Sequence, residues 1–382
     1  MLNVLIGNDF WGAGNFGDDL MLAGFLSWQS KQQAEWRVSI LCAHDIQAMR
    51  ARFPTLNWIA AHESTREEAI RSADVWLGLG GAVFQSDLGP WLLDRLTQDM
   101  RYATRYGIPA FLVGVGLNNV EALATEQAHA IYQLSAQIWV RDAQCLAAMR
   151  AAGFSEDKLH LGADVAHLAF AERARPEHLS GLASCLVVET GLSDPTSLFN
   201  ALTAYEPQST WLCQEVRALA GCEMVLQRLI PAHLKSAFDA SCLDYQTTTL
   251  ANVVAEFQRF EVLLTSRYHM TIAGAWAGSR VAVYDRNAKL TGVRQELGLF
   301  ECSDLSSQAA VTQALRNAQV ANPQTLFLCA ARAKQMLDQF ASAVNAIRPK
   351  RETAMSQDAL PRSESRKPAA TQAASSQPEG QE

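Results

Sequence analysis

The chain has 382 residues, 49% of them apolar, which is enough for two domains that each bury a core. Its net charge of −7 excludes the basic field that a non-specific nucleic-acid surface requires. No apolar run is long enough to cross a bilayer, and MLNVLIGNDFWG has neither the basic start nor the cleavage site of a secretory signal, so a cytoplasmic protein is expected.

LNVLIG at the N-terminus reads as a first buried strand. Behind it, in GAGNFGDDLML, Gly12, Gly14 and Gly17 have the G-x-G-x-x-G spacing of a dinucleotide-binding turn. Such a turn puts its first glycine at the strand end and an acid after the second strand, about 20 residues on. Here Gly12 lies beyond the strand end at Gly7, Gln32 and Gln33 stand near the expected distance, and the nearest acid is Asp45. Asp18 and Asp19 open the following helix, where carboxylates complement the dipole but repel a pyrophosphate. At 4 Å and an effective dielectric of about 20, each such charge pair costs ~4 kcal/mol. The loop therefore reads either as an acidic helix start after a flexible turn, or as a site where an aspartate meets a hydroxyl-bearing substrate.

RVSILC, VWLGLG, AFLVGVG and QIWV follow as buried strands. They alternate with helical stretches: DDLMLAGFLSWQSK, Trp91 to Tyr106, and Glu121 to Ser135. This alternation predicts a parallel sheet covered on both faces. At the end of VWLGLG, LGLGGAVFQSD carries Gly80 and Gly81, which permit close approach of the backbone to a ligand. QIWV is followed by Arg141, placed at the strand rim facing a cleft, and by Asp142, placed to cap the next helix. The first series ends near residue 170, and AERARPEHLSG reads as a linker.

A second series follows, with SCLVVET, STWLCQE, FEVLLTS and RVAVYD as strands and TTTLANVVAEFQRF as a helix. A terminal helix is predicted over 323–347, with Asn322 as its cap and Pro323 as its first residue. From Pro349 the composition turns to Ser, Ala, Gln, Pro and charges, and disorder is expected. The domains are thus 1–172 and 180–348, two Rossmann-like α/β units facing across a cleft, followed by a tail over 349–382.

Positive charge gathers in FEVLLTSRYHMTIAGAWAGSRVAVYDRNAKLTG. Ser266, Arg267, Tyr268 and His269 read as the turn after a strand, and ligands of parallel sheets bind beyond the carboxyl ends of strands. If that turn stays extended, Arg267 and His269 point the same way. Lys289, after the next strand, reaches the same rim. Arg offers a flat fork to a carboxylate, Lys a mobile charge to a phosphate, and His a proton near neutral pH. The remaining histidines (His44, His62, His129, His160, His167, His178 and His233) lack partner spacing and read as structural. None of the eight cysteines forms a C-x-x-C pair; they read as buried thiols, and no metal site is expected.

Taken together, GNFGDD, LGLGGAVFQSD, GVGLN, WVRDAQCLAAMRAAG, LGADVAHLAF and SRYHMTIAGAWAG…VAVYDRNAKLTG resemble the polysaccharide pyruvyl transferase family, in order and rough spacing from about residue 8 to 300. The S-R-x-H strand end, followed by a small-residue helix, a strand and a lysine, is the most specific element. The resemblance implies two Rossmann-like domains of glycosyltransferase-B type. It implies phosphoenolpyruvate as donor, with no other cofactor. The acceptor would be a sugar of a cell-surface polysaccharide or exopolysaccharide, and the product a pyruvate ketal. It places Arg141, Arg267, His269 and Lys289 at the donor and matches Asp18 to the Asp of the family's G-D element. Gly80 and Gly81 join the donor site through their close backbone approach, and the residues then suit a mechanism in which His269 protonates the donor and Asp18 orients or deprotonates the incoming hydroxyl. A lipid-linked acceptor would bring the enzyme to the inner membrane face. The sequence departs from the family pattern at Leu79, at Asp164–Val165 and at Ser279–Arg280.

Two other readings stand beside it. One is a nucleotide-sugar glycosyltransferase of the same shape, with Glu261 or Asp285 as the acid near a ribose. The other is a non-catalytic homologue in polysaccharide assembly, for which the three departures leave room.

Overall fold

Short runs rich in Val, Ile and Leu form strands buried on both faces, as parallel sheets require. The computed structural model describes residues 1–32, 35–87, 89–187, 194–215, 223–242 and 249–357. Within them β1 (Leu2–Ile6), β2 (Trp36–Cys42), β3 (Asn57–Ala60), β4 (Val75–Leu79), β5 (Ala110–Val115), β6 (Ser135–Val140) and β7 (Leu159–Leu161) form a parallel sheet in the order 3-2-1-4-5-6-7. A second sheet contains β8 (Leu182–Cys185), β9 (Ser209–Cys213), β10 (Phe238–Cys242), β11 (Val262–Thr265), β12 (Arg280–Tyr284) and β13 (Phe300–Cys302), all parallel, in the order 10-9-8-11-12-13. A short β14 (Gln319–Val320) pairs antiparallel with β12. Each sheet has its own core, one around Trp76, Leu112 and Ile138, the other around Phe199, Trp211 and Leu264.

The strand order reverses between β1 and β4 in the first sheet and between β8 and β11 in the second. At such reversals the loops leaving the carboxyl ends part and a ligand can enter. Asp18, Gly80, Gly81, Arg267 and His269 lie on these loops, Lys289 follows β12 beside β11, and Arg141 follows β6, two strands from β4.

Both sheets belong to one compact unit, Met1–Phe340. The helix starting at Pro323, capped by Asn322 Oδ1 on the Gln324 N–H at 2.9 Å, serves both sheets. Phe327 meets Trp276 edge-on beside the second sheet. Further along, Asp338 accepts from Trp28 Nε1 at 2.8 Å, and Phe340 packs edge-on against Phe111 of the first sheet. Residues Ala341–Glu382 form a separate unit, whose described part is helical to Gln357, beyond the end expected at Ile347. The rest of the expected disordered tail lies outside the described residues.

The outer strands β3, β7, β10 and β13 escaped the sequence reading. Edge strands are short and half-solvated, so they carry less of the apolar signal that marks inner ones. The strand expected from SCLVVET starts earlier, at Leu182, and ends at Cys185; residues 188–190 lie outside the described ones. Six cysteines are buried free thiols, while the side chains of Cys222 and Cys242 lie outside the described ones. No helix among the described residues is long and apolar enough to cross a membrane.

Candidate active site

The loop leaving β1 explains its glycines locally. Gly12 and Gly14 take left-handed φ values of +79° and +85°, which other residues adopt only under strain. Asn15 caps the helix Phe16–Gln29, its Oδ1 accepting from the Gly17 N–H at 2.9 Å. The two aspartates then part company. Asp19 turns inward to Arg52 at 3.1 Å, both side chains 1% exposed, whereas Asp18 is half-buried on the same first turn. Gly17 is needed for another reason: a Cβ there would stand 2.3 Å from His269 Nδ1. The helix start is therefore closed by its own cap and by an imidazole from the second sheet, which leaves no dinucleotide turn.

Gly80 and Gly81 after β4 also have left-handed φ, +63° and +77°. The Gly80 N–H donates to the Val113 carbonyl at 2.8 Å, and the Gly81 N–H points at Met21 Sδ at 3.2 Å. A Cβ would meet Met21 Sδ at 2.4 Å at Gly80 and the Phe10 ring at 2.8 Å at Gly81. The turn and its packing account for both glycines, and their amides face protein atoms.

Arg141 follows β6, as expected, and Asp142 caps the helix Ala143–Ala151 by accepting from the Cys145 N–H at 2.7 Å. Arg141 is 2% exposed. Its guanidinium lies 4.0 Å over the ring of Tyr268 from the second sheet. Gly116 makes room for it, since a Cβ there would stand 2.4 Å from the guanidinium carbon. Its ion pairs are long, 3.5 Å to Asp142 and 3.8 Å to Asp164, and Nε and one terminal nitrogen make no hydrogen bond within the protein.

The turn after β11 differs from the expectation. Helix begins at Tyr268, with Arg267 as its extended N-cap, so His269 already lies in the first turn. Residues two apart on a helix start do not share a direction, and the two side chains separate. Arg267 is gripped by Glu223 through two hydrogen bonds of 2.6 Å and reaches Glu215 at 3.1 Å. His269 goes to Asp164 of the first lobe, with Nε2 to Oδ2 at 3.6 Å. Burial alone would raise the Asp164 carboxyl, but His269 and Arg141 outweigh it and hold the group down at about 2.

Lys289 lies in the first turn of the helix Ala288–Leu297, capped by Asn287. Burial, then the charges of Arg141, Arg286 and Arg267, push its ammonium down to about 7, with Asp87 pulling the other way. Gly292 lets this helix approach the first lobe, because a Cβ there would meet Gln144 Oε1 at 2.9 Å. Three loops of the first lobe and two of the second thus bring Arg141, Asp164, His269 and Lys289 together, with Gly17, the residue before Asp18, against His269 and Arg267 secured by its glutamates.

The lobes are also stitched directly. The Phe16 N–H donates to the Gln214 carbonyl at 3.2 Å, and Gln214 Nε2 donates to Asn15 Oδ1 at 2.9 Å. Trp276 Nε1 donates to His167 Nδ1 at 3.0 Å; burial keeps that ring neutral by pushing it down to about 4. Asp164, Gln214 and His167 were missed as site or interface residues. For Asp164 the available signals were its position after a strand and its place in LGADVAHLAF, one of the segments that carry the family resemblance. The acids considered for a ribose lie elsewhere or are engaged. Glu261 is at the amino end of β11, and Asp285 accepts from Thr291 at 2.7 Å and Arg294 at 2.9 Å. Among the described residues no group of three or more His, Cys, Asp or Glu side chains is arranged for a metal ion.

A family model described as polysaccharide pyruvyl transferase matches residues 15–286, most of the chain. No curated protein is significantly similar in sequence. Among solved structures the fold is similar to that of UDP-GlcNAc 2-epimerase from Neisseria meningitidis bound to UDP-GlcNAc, with a TM-score of 0.61 at 12% identity over 90% of this chain and 100% of the other. A putative UDP-N-acetylglucosamine 2-epimerase from Listeria monocytogenes has a TM-score of 0.61 at 10% identity over 91% and 97%. The UDP-GlcNAc 2-epimerase of Methanocaldococcus jannaschii has 0.60 at 10% identity over 89% and 99%. At these identities the likeness concerns the two-lobed fold alone.

Proposed function

The chain belongs to the polysaccharide pyruvyl transferase family, and on that premise we propose that it moves the pyruvate unit of phosphoenolpyruvate onto two hydroxyls of a saccharide as a ketal. The observation that carries the reading is a buried guanidinium at the lobe junction whose hydrogen-bonding capacity the protein leaves unused. Arg141 has long ion pairs and two nitrogens without a hydrogen bond within the protein, and burial and neighbouring guanidiniums push the nearby Lys289 ammonium down. Buried donors in that condition are satisfied when an anion enters.

In this reading Arg141 and Lys289 hold the carboxylate and phosphate. His269 delivers a proton to the methylene carbon, which becomes a methyl group, and an oxocarbenium-like centre forms at C2. One sugar hydroxyl adds there, with Asp18 orienting it and accepting its proton. A second hydroxyl then displaces the phosphate, its proton passing to the departing group, which leaves as inorganic phosphate while the ketal closes. Proton delivery by a positioned group contributes about 10²–10⁴ in rate, and the fixed cations stabilise the departing phosphate. Arg267 acts one step back, through Glu223 and Glu215.

The test is incubation with phosphoenolpyruvate and a panel of glycosides, read as released phosphate and a product heavier by one pyruvylidene group. His269→Ala should lose turnover at unchanged fold; wild-type phosphate release in that variant would remove the acid role. A thermal-shift comparison of phosphoenolpyruvate with UDP and GDP separates this reading from a nucleotide-sugar transferase, which would respond to the nucleotides instead. A membrane-bound acceptor would add co-sedimentation with lipid vesicles carrying the saccharide.

A further inference from the structure

Asp164 stands just past the end of β7 and is 1% exposed. Its Oδ1 accepts from the Ala166 N–H at 2.9 Å, which stiffens the loop. Its Oδ2 makes no hydrogen bond within the protein, yet lies 3.6 Å from His269 Nε2 and 3.8 Å from Arg141. A buried carboxylate oxygen is left in that condition only where charged groups face it. The imidazole therefore has two unlike sides. Nε2 faces the carboxylate of the other lobe. Nδ1 faces the side-chain-free backbone of Gly17, where a Cβ would stand 2.3 Å away. Tyr268, the preceding residue, stacks on Arg141 and fixes the same helix start from behind.

We infer that Asp164 is the positioning residue of the site: its carboxylate draws the Nε2–H of the imidazolium and so turns Nδ1–H, the proton to be delivered, toward the bare backbone of Gly17 beside Asp18. The catalytic consequence rests on the reading above, in which His269 supplies a proton; the tie between the two side chains does not. A carboxylate that fixes the tautomer and orientation of an imidazole governs turnover strongly. The same negative charge beside Arg141 opposes an incoming anion. Replacing the charge at constant shape should therefore lower turnover while leaving anion affinity intact or improved. A merely structural residue would lose both.

The experiment uses full-length protein labelled with ¹⁵N-histidine, with His269→Gln assigning the ring signals. In Asp164→Asn the two ring nitrogens of His269 should shift. By calorimetry, phosphoenolpyruvate should bind within about threefold of wild type or more tightly, while phosphate release falls about a hundredfold or more. Asp164→Glu should recover part of the turnover. Unmoved His269 ring signals in Asp164→Asn, or unchanged turnover, would overturn the inference, as would parallel loss of anion binding and turnover. If wild-type protein does not bind phosphoenolpyruvate, the proposed reaction fails, and the ring signals alone still decide the tie. If Asp164→Asn does not fold, Asp164→Glu is read in the same way, with unmoved ring signals again the refuting result.

Discussion

Arg141 and Arg267 occupy equivalent places in sequence, each just beyond an inner strand of its sheet, yet the fold uses them oppositely. Arg267 is held by Glu223 in a two-bond fork at 2.6 Å with Glu215 as a further partner, the arrangement in which a guanidinium is most completely satisfied. Arg141 is as deeply placed, but its carboxylates stay at 3.5 Å and 3.8 Å and two of its nitrogens make no hydrogen bond within the protein. One is a fastener inside the second lobe, and the other is a charge kept in reserve at the junction. Position after a strand selects a rim; only the partners decide whether the charge on that rim is available.

The comparison breaks most directly at Arg267. Arg267→Met should destabilise the protein by about 3–5 kcal/mol, because Glu223, whose side chain is 0% exposed, would be left without its counter-charge. Urea denaturation would show this, and adding Glu223→Leu should recover much of the loss. Full stability in Arg267→Met, with weakened phosphoenolpyruvate binding instead, would reverse the two roles.

Arg141→Met should do the opposite. Stability should fall less than in Arg267→Met, since His269 still faces Asp164 and Asp142 still accepts from the Cys145 N–H, while phosphoenolpyruvate affinity falls about a hundredfold, ~2.7 kcal/mol. Calorimetry and a melting curve on the same sample check both halves. Gly17→Ala comes next: its methyl displaces the His269 ring, and phosphate release should fall about tenfold or more with donor affinity largely kept, an effect of ~1.4 kcal/mol on the barrier. A KM-against-kcat measurement separates this from general damage.

The smallest expected effect sharpens the idea of a reserve charge. Lys289, held near 7 in the free protein, should take up a proton when an anion binds, since a neighbouring negative charge favours its charged form. Calorimetry near pH 8 in buffers of different ionisation enthalpy should show up to about one proton gained, absent in Lys289→Met. For folding the sign is fixed likewise: an unfolded chain keeps this proton to about 10.5 and the folded one only to about 7, so the group's contribution to stability rises with pH between those values.

The inner strands, the cap at Asp142 and the cap at Asn322 were legible because local periodicity and local hydrogen bonding produce them. The strand-end position of Arg141 and the approach of Lys289 were legible from the same logic. The extended turn expected for Arg267 and His269 was not, because the helix starts at Tyr268 and sends them apart. The carboxylates that claim Arg267 come from Glu215 and Glu223, far away in the chain. Gly80 and Gly81 look like ligand-approach glycines in sequence, and only Met21 and Phe10 reveal them as packing glycines.

From the amino-acid order alone came the alternation of strands and helices, the two sheets, and the rims where charge could matter, because these depend on contacts a few residues apart. Pairing was settled elsewhere. That Asp19 belongs to Arg52, that Asp164 stands between Arg141 and His269, and that Gly17 lies under an imidazole are products of loops meeting across two lobes. The strength and availability of a charge depend on distance and burial, and both are set by which distant segments the packed fold brings within a few ångströms.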